Sequence, residues 1–107
     1  MRYYDAMQYF EWDPNKARSN LKKHGVSFQT ATQAFSDPFV VRLYDRTIDG
    51  EERWRTIGIV EGHLMLLVVH TTKDDNGDEL IRIILARRAT PVEKKTYVEE
   101  NRDAGKI

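Results

Sequence analysis

The sequence predicts an α+β fold: two N-terminal helices, a four-stranded antiparallel meander sheet with a short additional strand at the N-terminus, and a C-terminal helix. Three observations carry this expectation. Helix-start signals stand at Asp13-Pro14, at Ser27 and at Thr90-Pro91-Val92-Glu93. Between Pro38 and Thr90 the chain is rich in β-branched and apolar residues arranged in short runs. Two of the connections there, Glu61-Gly62 and Asn76-Gly77, are short enough to force antiparallel neighbours.

Each element follows from local chemistry. Tyr9 to Trp12 reads as a short aromatic strand. Asp13 is a good N-cap, and Pro14 fits the first helical position, where its missing N–H costs nothing. Ala17, Leu21 and His24 recur on one side of that helix, and Gly25 is suited to end it. Ser27 caps a second helix with Phe28, Ala31, Ala34 and Phe35 as its buried stripe, stopped by Asp37-Pro38. Strands are expected at Phe39 to Arg46, Arg53 to Val60, His63 to Thr72 and Glu79 to Arg87. Leu64 to Val69 is apolar without alternation, which suits a central strand covered on both faces. The capping box at Thr90 starts a last helix reaching about Arg102. Residues 1–8 are expected to form a poorly ordered leader, 9–102 a single domain and 103–107 a tail.

Composition narrows the function classes. With 107 residues, 40% hydrophobic and 32% charged, the chain suits one ordinary globular domain. It has no cysteine, which excludes disulfides and thiolate metal sites. No apolar run approaches a membrane span and no signal-peptide pattern is present, so a soluble, cytoplasmic protein without membrane contact is expected. The formal net charge is zero, yet Lys16, Arg18, Lys22 and Lys23 form a local basic run. The three histidines lack metal-ligand spacing, and no glycine-rich phosphate loop or nucleophile elbow occurs, so neither a metal nor a cofactor is expected.

If Glu61-Gly62 and Asn76-Gly77 are both two-residue turns, Arg53 lies opposite His70 and His70 opposite Ile83. Arg55 then lies beside Val68, and Arg87 beside Leu66. Strand alternation places Arg53, Arg55, His70 and Arg87 on one sheet face, an assignment that a one-residue slip reverses. Such a face suits cleavage of an RNA phosphodiester without metal. Guanidinium forks hold the phosphate, histidine moves protons near neutral pH, and the RNA supplies its own 2′-hydroxyl nucleophile. The same arginines can equally serve solubility. Arg88 adjoins Arg87 but points to the other side of a regular strand. Tyr97 is either a core-edge residue or a proton donor. His24, beside Lys22 and Lys23, either meets the helix dipole or contacts RNA.

Several blocks resemble one family. These are Phe10-Glu11-Trp12-Asp13-Pro14-Asn15-Lys16-Ala17, Asn20-Leu21-Lys22-Lys23-His24-Gly25-Val26-Ser27-Phe28 and Ala34-Phe35-Ser36-Asp37-Pro38. Gly50-Glu51-Glu52-Arg53-Trp54, Thr56-Ile57-Gly58, Ile81-Arg82-Ile83-Ile84 and Ala86-Arg87-Arg88-Ala89-Thr90 follow in order. Together they are similar to BrnT toxins over about residues 9–100. The resemblance implies a RelE-like fold, RNA cleavage that arrests translation, and neutralisation by a BrnA-like antitoxin through which operator DNA is bound. It implies functional roles for Arg53, Arg87, Arg88 and Tyr97; His70 and Arg55 rest on the face argument alone. The segment Ile59 to His63 departs from the family's more glycine-rich, basic loop and carries Glu61 instead. The alternative functions are a non-catalytic RNA- or partner-binding co-repressor, and a folded but inactive toxin.

Overall fold

The computed structural model describes residues 7–105. Its elements are β1 (Gln8–Glu11), α1 (Pro14–His24), α2 (Phe28–Thr32), a 3-10 turn (Gln33–Ser36), β2 (Val41–Ile48), β3 (Glu51–Val60), β4 (Leu64–Asp75), β5 (Asp78–Arg88) and α3 (Pro91–Asp103). The capping chemistry read from the sequence is present. Asp13 accepts from the Asn15 N–H at 2.8 Å. Gly25 closes α1 at φ 72°, a conformation that glycine adopts freely. Thr90 and Glu93 form the reciprocal box at the start of α3.

The sheet corrects the expected architecture. It has five strands in the order β1-β5-β4-β3-β2 and is mixed, not a four-stranded antiparallel meander. β1 pairs with β5 in parallel, from Gln8 opposite Glu79 to Glu11 opposite Arg82. A parallel neighbour so distant in the chain leaves no local turn signal. Of the expected leader, residues 1–6 lie outside the described residues, whereas Met7 and Gln8 bond to Asp78 and Glu79. Of the expected tail, Asp103 still belongs to α3, and residues 106 and 107 lie outside the described ones.

Past the end of β1, the buried Asn20 side chain takes over the edge of β5. It donates to the Ala86 carbonyl at 2.8 Å and accepts from the Ala86 N–H at 3.1 Å, as a neighbouring strand would. The second predicted helix breaks into α2 and the 3-10 turn. There the Ala34 backbone comes so close to β3 that only a residue without Cβ fits at Gly58.

Register also differs. The β3–β4 turn holds Glu61, Gly62 and His63, because Val60 pairs directly with Leu64. This three-residue turn shifts β4 by one position, so His70 faces Trp54, and Arg55 faces Val69. A bulge in β5 at Ile84 adds a second one-residue offset, and Arg87 faces Leu67. The two offsets cancel for β3 relative to this end of β5. Arg53, Arg55 and Arg87 therefore stay on one face, while His70, between the offsets, moves to the other.

Each face has its own core. On one, α1, α2 and the 3-10 turn cover Leu66, Val68, Ile81, Ile83 and Ala86 with Phe28, Ala31, Ala34 and Phe35. On the opposite face, Tyr97 of α3 packs against Val41, Ile57 and Leu67. That second cluster is smaller, and α3 leaves the rest of its face to the arginines.

Candidate functional site

The face beside α3 carries cations from several strands. Arg53 and Arg55 are on β3, Arg46 lies opposite Arg53 on β2, and Arg87 is on β5. Arg82 and Lys73 continue the face toward the far end of the sheet. Arg87 sits two strands and one like-facing position away from Arg55, roughly 12 Å between backbones at ordinary strand spacing. Long guanidinium side chains can span a ribose-phosphate link across that interval.

The counter-ions differ among these arginines. Arg87 forms a two-pronged pair with Glu93, at 2.8 and 2.9 Å. That hydrogen bonding holds the Glu93 carboxyl below its ordinary range and raises the Arg87 guanidinium further above its own. Arg55 Nε lies 3.4 Å from Asp45 Oδ1, which is ion-pair distance without hydrogen-bond geometry. Asp45 also accepts from Arg46 at 3.1 Å. Arg53 has no ion pair among the described residues. The Nε atoms of Arg53 and Arg55 are both buried and lack an acceptor there. With these Nε atoms shut away from solvent, the terminal NH groups of the two guanidiniums are the donors that a phosphate oxygen would meet on this face.

The remaining expected site residues do not join this cluster. His70 is fully buried on the opposite face, edge-on to Phe35 at 4.9 Å between ring centroids. Its Nδ1 lies 3.1 Å from the Thr71 carbonyl, which can only accept. Nδ1 therefore carries the proton, and Nε2 accepts from the Thr56 hydroxyl at 2.6 Å. The expectation that His70 shares the arginine face is thus overturned by the three-residue turn at Glu61. Arg88 is exposed and alternates away from Arg87, next to His63 and Lys94. Lys22, Lys23 and His24 end α1, in the helical layer on the His70 side.

Burial lowers the His70 pKa to about 4, with the Thr71 hydrogen bond opposing and Arg42 assisting. The folded value is below the unfolded one, so the unfolded chain gains the proton first. Stability should therefore be full above pH 6.5 and decline as pH falls toward 4, by at most about 1.4 kcal/mol per unit. Glu79, held at about 2 chiefly by its hydrogen bond from Arg42, acts only below its ordinary 4.5. Urea unfolding at a series of pH values checks this, and a flat profile between pH 6.5 and 4.5 contradicts it.

Tyr97 is buried, and its hydroxyl donates to Asp37 Oδ2 at 2.7 Å. Burial, followed by the bond to Asp37, raises its pKa far above the ordinary tyrosine value. Asp37 is the residue that sequence reasoning missed here, having been read only as a helix stop. Its Oδ1 accepts from the Phe39 N–H at 2.9 Å and its Oδ2 from the Ile59 N–H at 2.8 Å, tying the 3-10 turn, β3 and α3 together. Asn101 was also unmarked, yet its amide donates to the Phe39 and Tyr97 carbonyls at 2.9 and 2.8 Å.

The comparisons with known proteins agree with this architecture. The model of the BrnT family, described as the ribonuclease toxin of a type II toxin–antitoxin system, matches residues 12–93. The crystal structure of the Brucella abortus ribonuclease toxin BrnT is similar in fold, with a TM-score of 0.53 at 22% identity. That alignment covers 79% of this chain and 99% of the Brucella protein. No curated protein is significantly similar in sequence. The family match begins at Trp12, takes in Gly58 and the arginines of β3 and β5, and ends at Glu93, the partner of Arg87. With that span matched, the chain belongs to the BrnT family of ribonuclease toxins of type II toxin–antitoxin systems.

Proposed function

We propose that this chain is a metal-independent endoribonuclease that binds its scissile phosphate on Arg53, Arg55 and Arg87. The observation that supports this reading is their shared face, which the β3–β4 and β4–β5 registers bring about. In the reaction, the RNA 2′-hydroxyl gives up its proton to solvent and its oxygen bonds to phosphorus as the bond to the 5′-oxygen breaks, the departing 5′-oxygen taking a proton from solvent. The products are a 2′,3′-cyclic phosphate and a 5′-hydroxyl. Guanidinium groups stabilise the charge that accumulates on phosphorus oxygens in between. RNA cleavage would arrest translation in the cytoplasm. A DNA-binding antitoxin of the BrnA kind would neutralise the toxin by laying acidic or apolar side chains on this face, and through it the pair would reach operator DNA.

The test is incubation of the purified, antitoxin-free chain with RNA in EDTA. Cyclic-phosphate ends support the reading. Intact RNA with a mobility shift would replace it with a non-catalytic RNA-binding role, which the withdrawal of His70 from the arginine face favours. Tyr97→Phe separates catalysis from support. Loss of its bond to Asp37 should lower stability by about 1–3 kcal/mol and leave cleavage within a few-fold at a temperature where the variant is folded. A loss of cleavage on the order of 100-fold, with stability unchanged, would instead make Tyr97 a proton donor.

A further inference from the structure

We infer that Tyr44, braced by Trp54, is a nucleobase-stacking subsite for single-stranded RNA. The inference rests on the ribonuclease reading and adds a second point of RNA contact, around the free edge of the sheet. Tyr44 lies on β2, the outermost strand, and is 51% exposed. Its ring meets Trp54 at 5.7 Å between centroids with an 82° interplanar angle, and its hydroxyl lies 2.6 Å from Thr47 Oγ1. The ring is therefore held at its tip and on one side, with half of its surface open. A ring fixed in this way gives up little conformational entropy on stacking.

The position of the ring relative to the arginines identifies the ligand. In a regular strand Tyr44 and Arg46 would share a face. The bulge at Asp45 breaks the alternation, so Tyr44 pairs with Trp54 on one face while Arg46 pairs with Arg53 on the other. Arg46 is 68% exposed and stands where a strand lying on Arg53 and Arg55 would leave the sheet. No described strand lies beyond β2 on that edge. A phosphate on Arg46 can then be followed by a base turned over the edge onto Tyr44. Asp45 already bonds Arg46 and pairs with Arg55. Glu52, opposite Thr47, shares the Tyr44 face, but the edge still sets the largely exposed Arg46 cation beside a flat aromatic surface. That combination is the one that binds single strands without reading their sequence.

The experiment uses a fluorescently labelled all-2′-deoxy oligonucleotide, which cannot be cleaved, and measures its anisotropy on titration with the full chain. Tyr44→Ala should weaken binding by roughly 5- to 100-fold, and Tyr44→Phe should retain it. An oligonucleotide made entirely of abasic units should bind the native chain more weakly and show no further loss with Tyr44→Ala. If Tyr44→Ala binds normally while Arg53→Ala does not, the stacking site is refuted and the ribonuclease reading survives. If the native chain binds no oligonucleotide, both fail. If Tyr44→Ala instead weakens an acidic peptide and leaves the oligonucleotide unaffected, the surface is a protein-docking site and the inference is overturned.

Discussion

Arg53→Ala is expected to lower RNA cleavage by about 10²- to 10³-fold, the usual cost of removing one preorganised donor from a developing oxyanion. Among the site arginines it is the cleanest to remove. Arg87 also anchors Glu93, whose carboxylate accepts from the Thr90 N–H at 2.9 Å, so its truncation would loosen the start of α3 as well. Arg55 draws on Asp45. Arg53 has neither obligation, and its removal relieves repulsion with Arg46, its neighbour across the β2–β3 pair. Stability should therefore change by about 1 kcal/mol or less. Arg53→Lys keeps the charge but not the planar fork, and should recover only part of the rate. Single-turnover cleavage of a short RNA, set beside thermal unfolding of the same samples, decides the matter. Unchanged cleavage by Arg53→Ala would remove the phosphate site from this face.

This prediction rests on an arrangement only partly legible in the sequence. Strand content and helix caps were readable because they are written in local chemistry: Asp13 before Pro14, Thr90 before Glu93, and Asn76-Gly77 as a two-residue turn with both residues at positive φ. What escaped depended on counting residues across a turn. Glu61 and Gly62 look like a complete two-residue connection, yet His63 belongs to the turn too. Because strand faces alternate, that single residue decides which side His70 takes. The bulge at Ile84 is equally silent in the sequence, and it is what keeps Arg87 with Arg53 and Arg55. The parallel β1–β5 pairing and the Asn20 bonds to Ala86 join residues far apart in the chain, where no periodicity reaches. Asp37 was misjudged for another reason. An Asp before proline signals a helix end whatever else its carboxylate does, so the local signal concealed a long-range role.

Gly58→Ala is expected to cost about 3 kcal/mol, the upper end of the usual penalty for overpacking a close-packed interior. An added Cβ would lie 2.2 Å from the Ala34 carbonyl oxygen and 2.9 Å from its carbon. Both are backbone atoms, so no side-chain rotation relieves the clash; β3 and the 3-10 turn must separate. The consequences should extend to the site. Asp37 follows that turn and bonds the Ile59 N–H, one residue from Gly58, together with the Tyr97 hydroxyl. Parting β3 from the turn also moves the strand that carries Arg53 and Arg55 themselves, so the arginine face is disturbed directly and not through the Tyr97 bond. Cleavage by Gly58→Ala should fall even at temperatures where the variant remains folded, in contrast to a core truncation such as Val68→Ala on the helix-covered face. Chemical denaturation and cleavage kinetics on the two variants make the comparison. Equal residual activity per folded molecule would break the proposed link between this close approach and the arginine face, and undiminished stability of Gly58→Ala would show that the turn yields without cost.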